Sequence, residues 1–565
     1  MAEATRTLPI SAEHREFTVK VGGQAVGREQ HLVGVYVTKE VNRISSARLH
    51  YLDGSAAASD FPLSNAATFV PGAEVEILAG AGDDPVSLFK GIVVRQGLKV
   101  RDNAGSQLIV ECRHKAVRLT IGARNAVFSD QPDSDTISAL LDGAGIDGDV
   151  ESTTVRHPQQ VQYRTTDWDY LLTRAEANGK LVLTNDDGVA VRAPVVSGNP
   201  AVTLQYGATI LELDVEVDAR LQFSAVKSLT WDPSQQEVVE RDAADPGIAG
   251  PGNLASGDLA AVATRADFEL RHAALTEEEA QAWADAQWIK SRLSKVNGRA
   301  KCEGIATLNP GDLAGLSGIG ERYNGTVYVT GVRQSFDTVQ GWKTHLQFGS
   351  VDKWAGQEFD VSTPKAGALL PAVNGLQIGV VTGNEDPEDE HRVRIRLPMV
   401  DSQADGIWAR VASLDAGNDR GFFFRPEIGD EVVVGFLEDD PRRAVVLGML
   451  HSSAKAAPWQ GSDDNPEKGY KSRSGMRVFF DDEKKKILID TPAGNALSLD
   501  EEAGGIKLAD QNGNKIEMSS SGIRIESAAA LELKAGSQLK LEGPAGAEMT
   551  SSGTTKLQGS LVQIN

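Results

Sequence analysis

From Val478 to Ile564 the chain repeats one short pattern, two apolar residues separated by a single residue and followed by a few polar or small ones. The pairs are Val478/Phe480, Ile487/Ile489, Leu497/Leu499, Ile506/Leu508, Ile516/Met518, Ile523/Ile525, Leu531/Leu533, Leu539/Leu541, Ala547/Met549, Thr555/Leu557 and Val562/Ile564. Their starts are separated by 9, 10, 9, 10, 7, 8, 8, 8, 8 and 7 residues. Residues i and i+2 share one face of a strand. Each block therefore offers two apolar side chains one way and charged or amide groups the other, as in Leu531-Glu532-Leu533-Lys534. Gly, Asn and Ser between blocks supply the turns. A regular repeat of this length marks a repeat architecture.

Two apolar side chains per strand do not make a core in a flat sheet; they do if three faces close around an axis. One chain winding alone, with ~24 residues per coil, gives a stack only about 18 Å tall and apolar at both ends. Three intertwined chains gain about 4.8 Å per block and reach roughly 50 Å. In that form each strand bonds to another chain and few edges stay free. The expectation is the homotrimer, an intertwined triple-stranded β-helix over residues 477–565. Its core is assigned to Ile487, Ile489, Leu497, Leu499, Ile506, Leu508, Ile516, Met518, Ile523, Ile525, Leu531, Leu533, Leu539, Leu541, Met549 and Leu557.

The rest of the 565 residues also reads as mainly β. Residues 1–352 hold strand-like runs such as REFTVKV, HLVGVYVT, EVEILAG and SQLIVECR. Three helices interrupt them, at 134–145, 166–179 and 276–298, the last opened by Thr276 and Glu279 in capping-box spacing. Residues 242–258 read as an exposed loop. The segments PGAEVEIL…LFKGIVV (71–94) and PGDLAGL…RYNGTVY (310–328) share a Pro-Gly, a strand and an aromatic-x-Gly-x-Val. They are either two ordinary hairpins with common turn chemistry or parts of two related β-barrels. Residues 353–372 read as a linker. Residues 373–450 hold five short strand-like runs, which suits a small closed barrel of the OB type. Residues 451–476 read as a polar connector.

Charge and composition narrow the function. The formal net charge is −22, which argues against general nucleic-acid binding, as do the acidic loops of the barrel region. Cys112 and Cys302 form no CxxC and require no oxidising compartment. The N-terminus lacks the apolar stretch of a secretory signal. AVVLGML (444–450) falls far short of the ~20 residues of a membrane helix. Synthesis in the cytoplasm is expected.

Four stretches carry a family resemblance: RVRIRLP (392–398), IWARVAS (407–413), PEIGDEVVVGF (426–436) and DPRRAVVLG (440–448). They resemble the OB-fold region of valine-glycine-repeat (VgrG) proteins and phage baseplate hub-spike proteins. Upstream, TTDWDYLLTRAEANG and GWKTHLQFG (341–349) look like the hub of that family. VFFDDEKKKILIDTPAGNALSL (478–499) is similar to the entry into its β-helical spike. The resemblance implies a homotrimeric spike of a contractile injection machine, whether a phage tail, a type VI secretion system or an extracellular phage-tail-like particle. Two hub barrels per chain would match a sixfold inner tube to a threefold needle. Implied partners are sister copies, inner tube and baseplate proteins, a PAAR-like tip protein seated on Val562, Ile564 and Asn565, and transiently the target membrane. No cofactor, metal or nucleic acid is implied.

Catalysis is not expected. The gap at 451–476 is too short for the lysozyme domain some phage relatives carry there, and the repeat runs to Asn565 without a toxin extension. None of the nine histidines lies in the needle, so a histidine iron site there is excluded. HExxH, GxSxG and the phosphate-binding GxxxxGK[ST] do not occur. SxxK at Ser224/Lys227 and Ser452/Lys455 lacks its partner motifs. The run Glu385, Asp386, Glu388, Asp389, Glu390 reads as a solvated loop and Asp481/Asp482 as a turn. The alternatives weighed are a β-helical envelope-degrading enzyme and a trimeric carbohydrate-binding adhesin.

Overall fold

The computed structural model describes residues 16–80, 85–101, 105–262, 267–272, 275–349, 351, 353–358, 360–361 and 364–564. The chain divides into two compact units, residues 1–367 and 368–565.

The first unit is built on one 13-stranded sheet. Its path runs from Glu212–Val217 through Val296–Glu303, Gly341–Phe348 and Gly325–Asp337 to Leu32–Glu40. It continues through Ser46–Leu52, Gly105–Arg113, Val86–Arg101 and Glu74–Ala79 to Phe17–Val21 and Gln24–Ala25. Alternation of inward and outward residues gives each half its own core. One gathers Leu49, Phe69, Ile77, Phe89, Leu108 and Val110. The other gathers Leu204, Val296, Val329, Leu346 and Phe348. The halves are joined by the antiparallel ladder between Leu32–Glu40 and Gly325–Asp337, with Phe336 opposite Val35. The two halves thus share one continuous sheet while each keeps its own core.

The two similar segments lie one beside each core. Glu74–Ala79 pairs with Val86–Arg101, and Leu313–Ser317 with Gly325–Asp337. Their Pro-Gly turns are alike in detail. Gly72 N–H donates to Val93 O and Val93 N–H to Ala73 O; Gly311 N–H donates to Val329 O and Val329 N–H to Asp312 O. Gly72 and Gly311 have φ of 98° and 96°, a region that favours glycine.

The three longest helices among the described residues span Asp133–Gly143, Asp167–Ala177 and Glu277–Leu293. Thr166 caps the second through its side chain, and Thr276 with Glu279 forms the expected capping box of the third. The first two pack Ile137, Leu141, Trp168, Leu171 and Leu172 over Val182 and Val189.

The expected linker begins differently. Ala355–Glu358 is a short helix docked on the first unit. Ala355 N–H donates to Glu176 Oε2 at 2.6 Å, and Trp354 Nε1 donates to Gln287 at 2.7 Å. The reason is Glu176, a buried carboxylate that must be satisfied. It does so with the Lys290 ammonium at 2.7 Å and the Ala355 amide, which draws 353–358 onto the two helices. Glu176→Ala leaves Lys290 buried without its charge partner. A loss of about 3–5 kcal/mol of stability is expected in denaturant unfolding of the full chain.

The second unit opens with a closed barrel in the order Gln377–Gly383, Val393–Arg396, Ile407–Val411, Ala444–Met449, Glu431–Phe436. Val381, Val393, Ile395, Ala409, Val432, Val434 and Val446 fill it. In the acidic loop, Asp386 accepts backbone N–H groups of Glu388, Glu390 and Arg392. The forked Arg392 guanidinium, at 2.7 and 2.9 Å, holds the Asp386 carboxyl well below the usual carboxylate range. Asp386 thus serves as the internal cap of a turn.

Cys112 and Cys302 are both buried free thiols. Burial pushes each up to about 12. Among the described residues no helix is long and apolar enough to cross a membrane.

Candidate trimerisation face

The repeat folds as a seven-stranded antiparallel meander: Glu467–Lys471, Arg477–Asp481, Lys486–Asp490, Ala496–Asp500, Gly505–Ala509, Lys515–Ser519 and Gly522–Glu526. Every strand is five residues long, and from the second strand on the turns hold four, five, four, five and two residues. Strand plus turn accounts for the spacings of 9, 10, 9, 10 and 7 in the sequence. The five-residue turns are copies of one another. Thr491 N–H donates to Asn495 O and Asp510 N–H to Asn514 O, as Ser472 N–H does to Met476 O. Each carries one glycine at positive φ, Gly475, Gly494 and Gly513. Asn side chains tie successive turns together, Asn495 Oδ1 accepting from Gln511 N–H and Asn514 Oδ1 from Ala528 N–H.

Because the strands are equal in length, the apolar residues fall into two straight rows. One row is Tyr470, Val478, Ile489, Leu497, Leu508, Ile516 and Ile525, each paired with the next. The other is Phe480, Ile487, Leu499, Ile506, Met518 and Ile523, with Lys468 at its head. Among the described residues nothing covers this face: Ile489, Leu508 and Ile523 are 46%, 50% and 70% exposed. The opposite face is laced by cross-strand ion pairs, Arg477–Asp490, Lys486–Asp500, Lys507–Glu517 and Lys515–Glu526. Their sign is that of a lowered carboxylate. The Arg477 guanidinium keeps Asp490 below its ordinary value, so its support is present above the usual carboxylate range and is lost as the pH falls through it. These pairs are exposed and worth little singly. They mark which side faces water.

The structure brings together ten of the expected core residues, Ile487, Ile489, Leu497, Leu499, Ile506, Leu508, Ile516, Met518, Ile523 and Ile525, on this one face. It differs from expectation in pairing, because these strands bond to neighbours in their own chain rather than to another chain. Leu531, Leu533, Leu539, Leu541, Met549 and Leu557 lie in 527–564, where no strand is formed, and are exposed. Val562 and Ile564 are exposed there too; Asn565 lies outside the described residues. EKGYK has no apolar i, i+2 pair to mark Tyr470; only the register places it in a row.

Residues 11–337 match the Alg8 N-terminal domain, 377–451 the type VI secretion system/phage-baseplate injector OB domain, and 486–565 the phage baseplate V C-terminal trimerisation domain. The chain belongs to the Alg8 N-terminal domain family, and its OB and trimerisation domains make it a VgrG-like hub-spike protein. The type VI secretion system spike protein VgrG1b of Pseudomonas aeruginosa is 28% identical over 240 residues, 39% of this chain and 31% of that protein. VgrG1c of the same organism is 32% identical over 128 residues, 21% and 17% of the two chains. The chain thus spans less than a third of the length of these relatives. The 43 kDa tail protein of prophage MuSo2 from Shewanella oneidensis is similar over 60% of this chain and 99% of its own, at 14% identity and a TM-score of 0.45.

The two faces predict opposite responses to charge. Leu497→Lys sets an ammonium in the middle of an apolar row and is expected to cost the assembled form about 3 kcal/mol or more per chain. Ser498→Lys, on the ion-paired face, is expected to change stability by no more than ~0.5 kcal/mol. Light scattering of both variants during thermal unfolding checks the contrast.

Proposed function

We propose that the chain is the central spike of a contractile injection machine, a homotrimer whose meanders close face to face into a three-sided prism. The observation that carries this reading is the pair of uncovered apolar rows held in register over six strands, Arg477–Asp481 to Gly522–Glu526. Two side chains per strand bury too little area to be shielded by one chain, and three copies supply the missing walls. The match of 486–565 to a trimerisation domain supports it.

In this reading residues 1–352 are the hub, which meets the inner tube and baseplate proteins. The shared Pro-Gly geometry around Gly72 and Gly311 supports a duplicated unit, so that three chains present six similar edges to a sixfold tube. Residues 373–450 are the OB barrel, 451–476 the connector, whose Glu467–Lys471 already forms the first strand of the meander, and 477–565 the needle. Leu531, Leu533, Leu539, Leu541, Met549 and Leu557 continue the core below Glu526 through strands shared between chains. Val562, Ile564 and Asn565 form the seat of a PAAR-like tip protein. The needle transmits the push of sheath contraction to the target envelope without catalysis, in keeping with relatives named as spike proteins. Delivery outside the producing cell follows from that role.

Solution mass tests the reading. Three chains of 60.2 kDa give a particle of about 180 kDa in light scattering. A stable species at 60.2 kDa removes the prism and the puncturing function with it.

A further inference from the structure

At the top of the needle the apolar face does not end; it narrows. The second row stops at Lys468, opposite Phe480, while the first continues to Tyr470, opposite Val478. The Tyr470 ring lies 4.9 Å from that of Phe424, which in turn stacks on Phe422 at 6.1 Å. Phe422 and Phe424 belong to the loop of the OB barrel that follows the hairpin Ala416–Gly417 and Arg420–Gly421. Phe422 N–H donates to Asp415 O at 2.9 Å, and Ser413 Oγ donates to Phe422 O at 2.9 Å, so the loop is pinned to itself. Arg473 pairs with Glu427 at 3.0 Å and Lys455 with Asp430 at 3.3 Å, which hold the connector to the barrel beside it. The aromatic chain Tyr470–Phe424–Phe422 therefore leads off from the head of the first row.

These rings are about half exposed, 48% for Tyr470, 49% for Phe424 and 54% for Phe422. Three aromatic rings in contact and open to water are an unusual surface for a protein that keeps them so. We propose that the trimer interface runs past the needle, over Tyr470 and onto Phe424 and Phe422, where the OB barrels of three copies meet in an aromatic collar. The inference rests on the homotrimer reading, and the occupant it assigns to this patch is a second copy of the same chain. Continuity argues for it. A row already directed at sister chains leads without a break to these rings, and Lys468 closes off the neighbouring row. Phe423 lies outside the stack. It is 75% exposed and sits against the Arg425 guanidinium, 6.0 Å from its ring centroid, and so serves as an internal reference.

Hydroxyl-radical footprinting of the full chain tests this, read by mass spectrometry on the particle isolated by size. Oxidation of Phe422, Phe424 and Tyr470 is expected to run about fivefold slower than that of Phe423. A Phe422→Cys variant is expected to be crosslinked between chains by a short bismaleimide, the native Cys112 and Cys302 being buried. A three-chain particle whose Phe422 and Phe424 oxidise as fast as Phe423, and whose Phe422→Cys variant does not crosslink, overturns the collar and leaves the trimer standing. A single-chain mass overturns the homotrimer reading instead.

Discussion

The second unit depends on a shortage. The strands of its meander are five residues long, and from Arg477–Asp481 on each offers on its apolar side only two side chains. At roughly 25 cal/mol per Å² such a strand gains little from its own chain, because the sheet is one layer thick and its inner face meets water. Equal strand length then becomes decisive. With every strand reversing after the same number of residues, the sparse apolar groups stack into two continuous rows, and a continuous surface is what a sister copy can cover. The ion pairs on the other side need no further partner, so the face that must be covered is unambiguous.

The hub works under the opposite condition. Its strands reach 16 residues, in Val86–Arg101, and its two cores are filled by large side chains of one chain, Phe69, Phe89 and Phe348 among them. Where it uses charge in the interior it does so in a closed network. Glu176 and Lys290 satisfy each other and the backbone of 351–355, converting the start of an apparent linker into an anchored segment. The chain thus joins a self-sufficient sheet to an open-faced one.

Much of this could be read from the residues. The apolar pairs placed six of the meander's seven strands, from Arg477–Asp481 to Gly522–Glu526, and Thr276 with Glu279 announced the long helix and its cap. The closed barrel followed from five short runs and their turns. The chain to which each strand would bond could not be read, because i, i+2 pairing fixes which side chains share a face and says nothing of the partner strand. The alternation of 9 and 10 in the spacings held that answer, since constant strands joined by turns of alternating length produce a meander. Tyr470 is not legible in the sequence because EKGYK offers it no apolar partner two residues away, and its meaning lies wholly in being opposite Val478. The docking of Ala355 was hidden for a related reason. It answers a carboxylate 179 positions away in the sequence.

The copied turns have one more implication, for how a meander of this kind changes length. Ser472–Met476, Thr491–Asn495 and Asp510–Asn514 recur every 19 residues and bracket one out-and-back excursion of the chain. Inserting or deleting a whole excursion restores strand direction and leaves both rows unbroken, while shifting the reach by about 10 Å. A half excursion would send the following strand the wrong way. Such a shaft has graduations, like a rule, and evolution can cut it only at the marks.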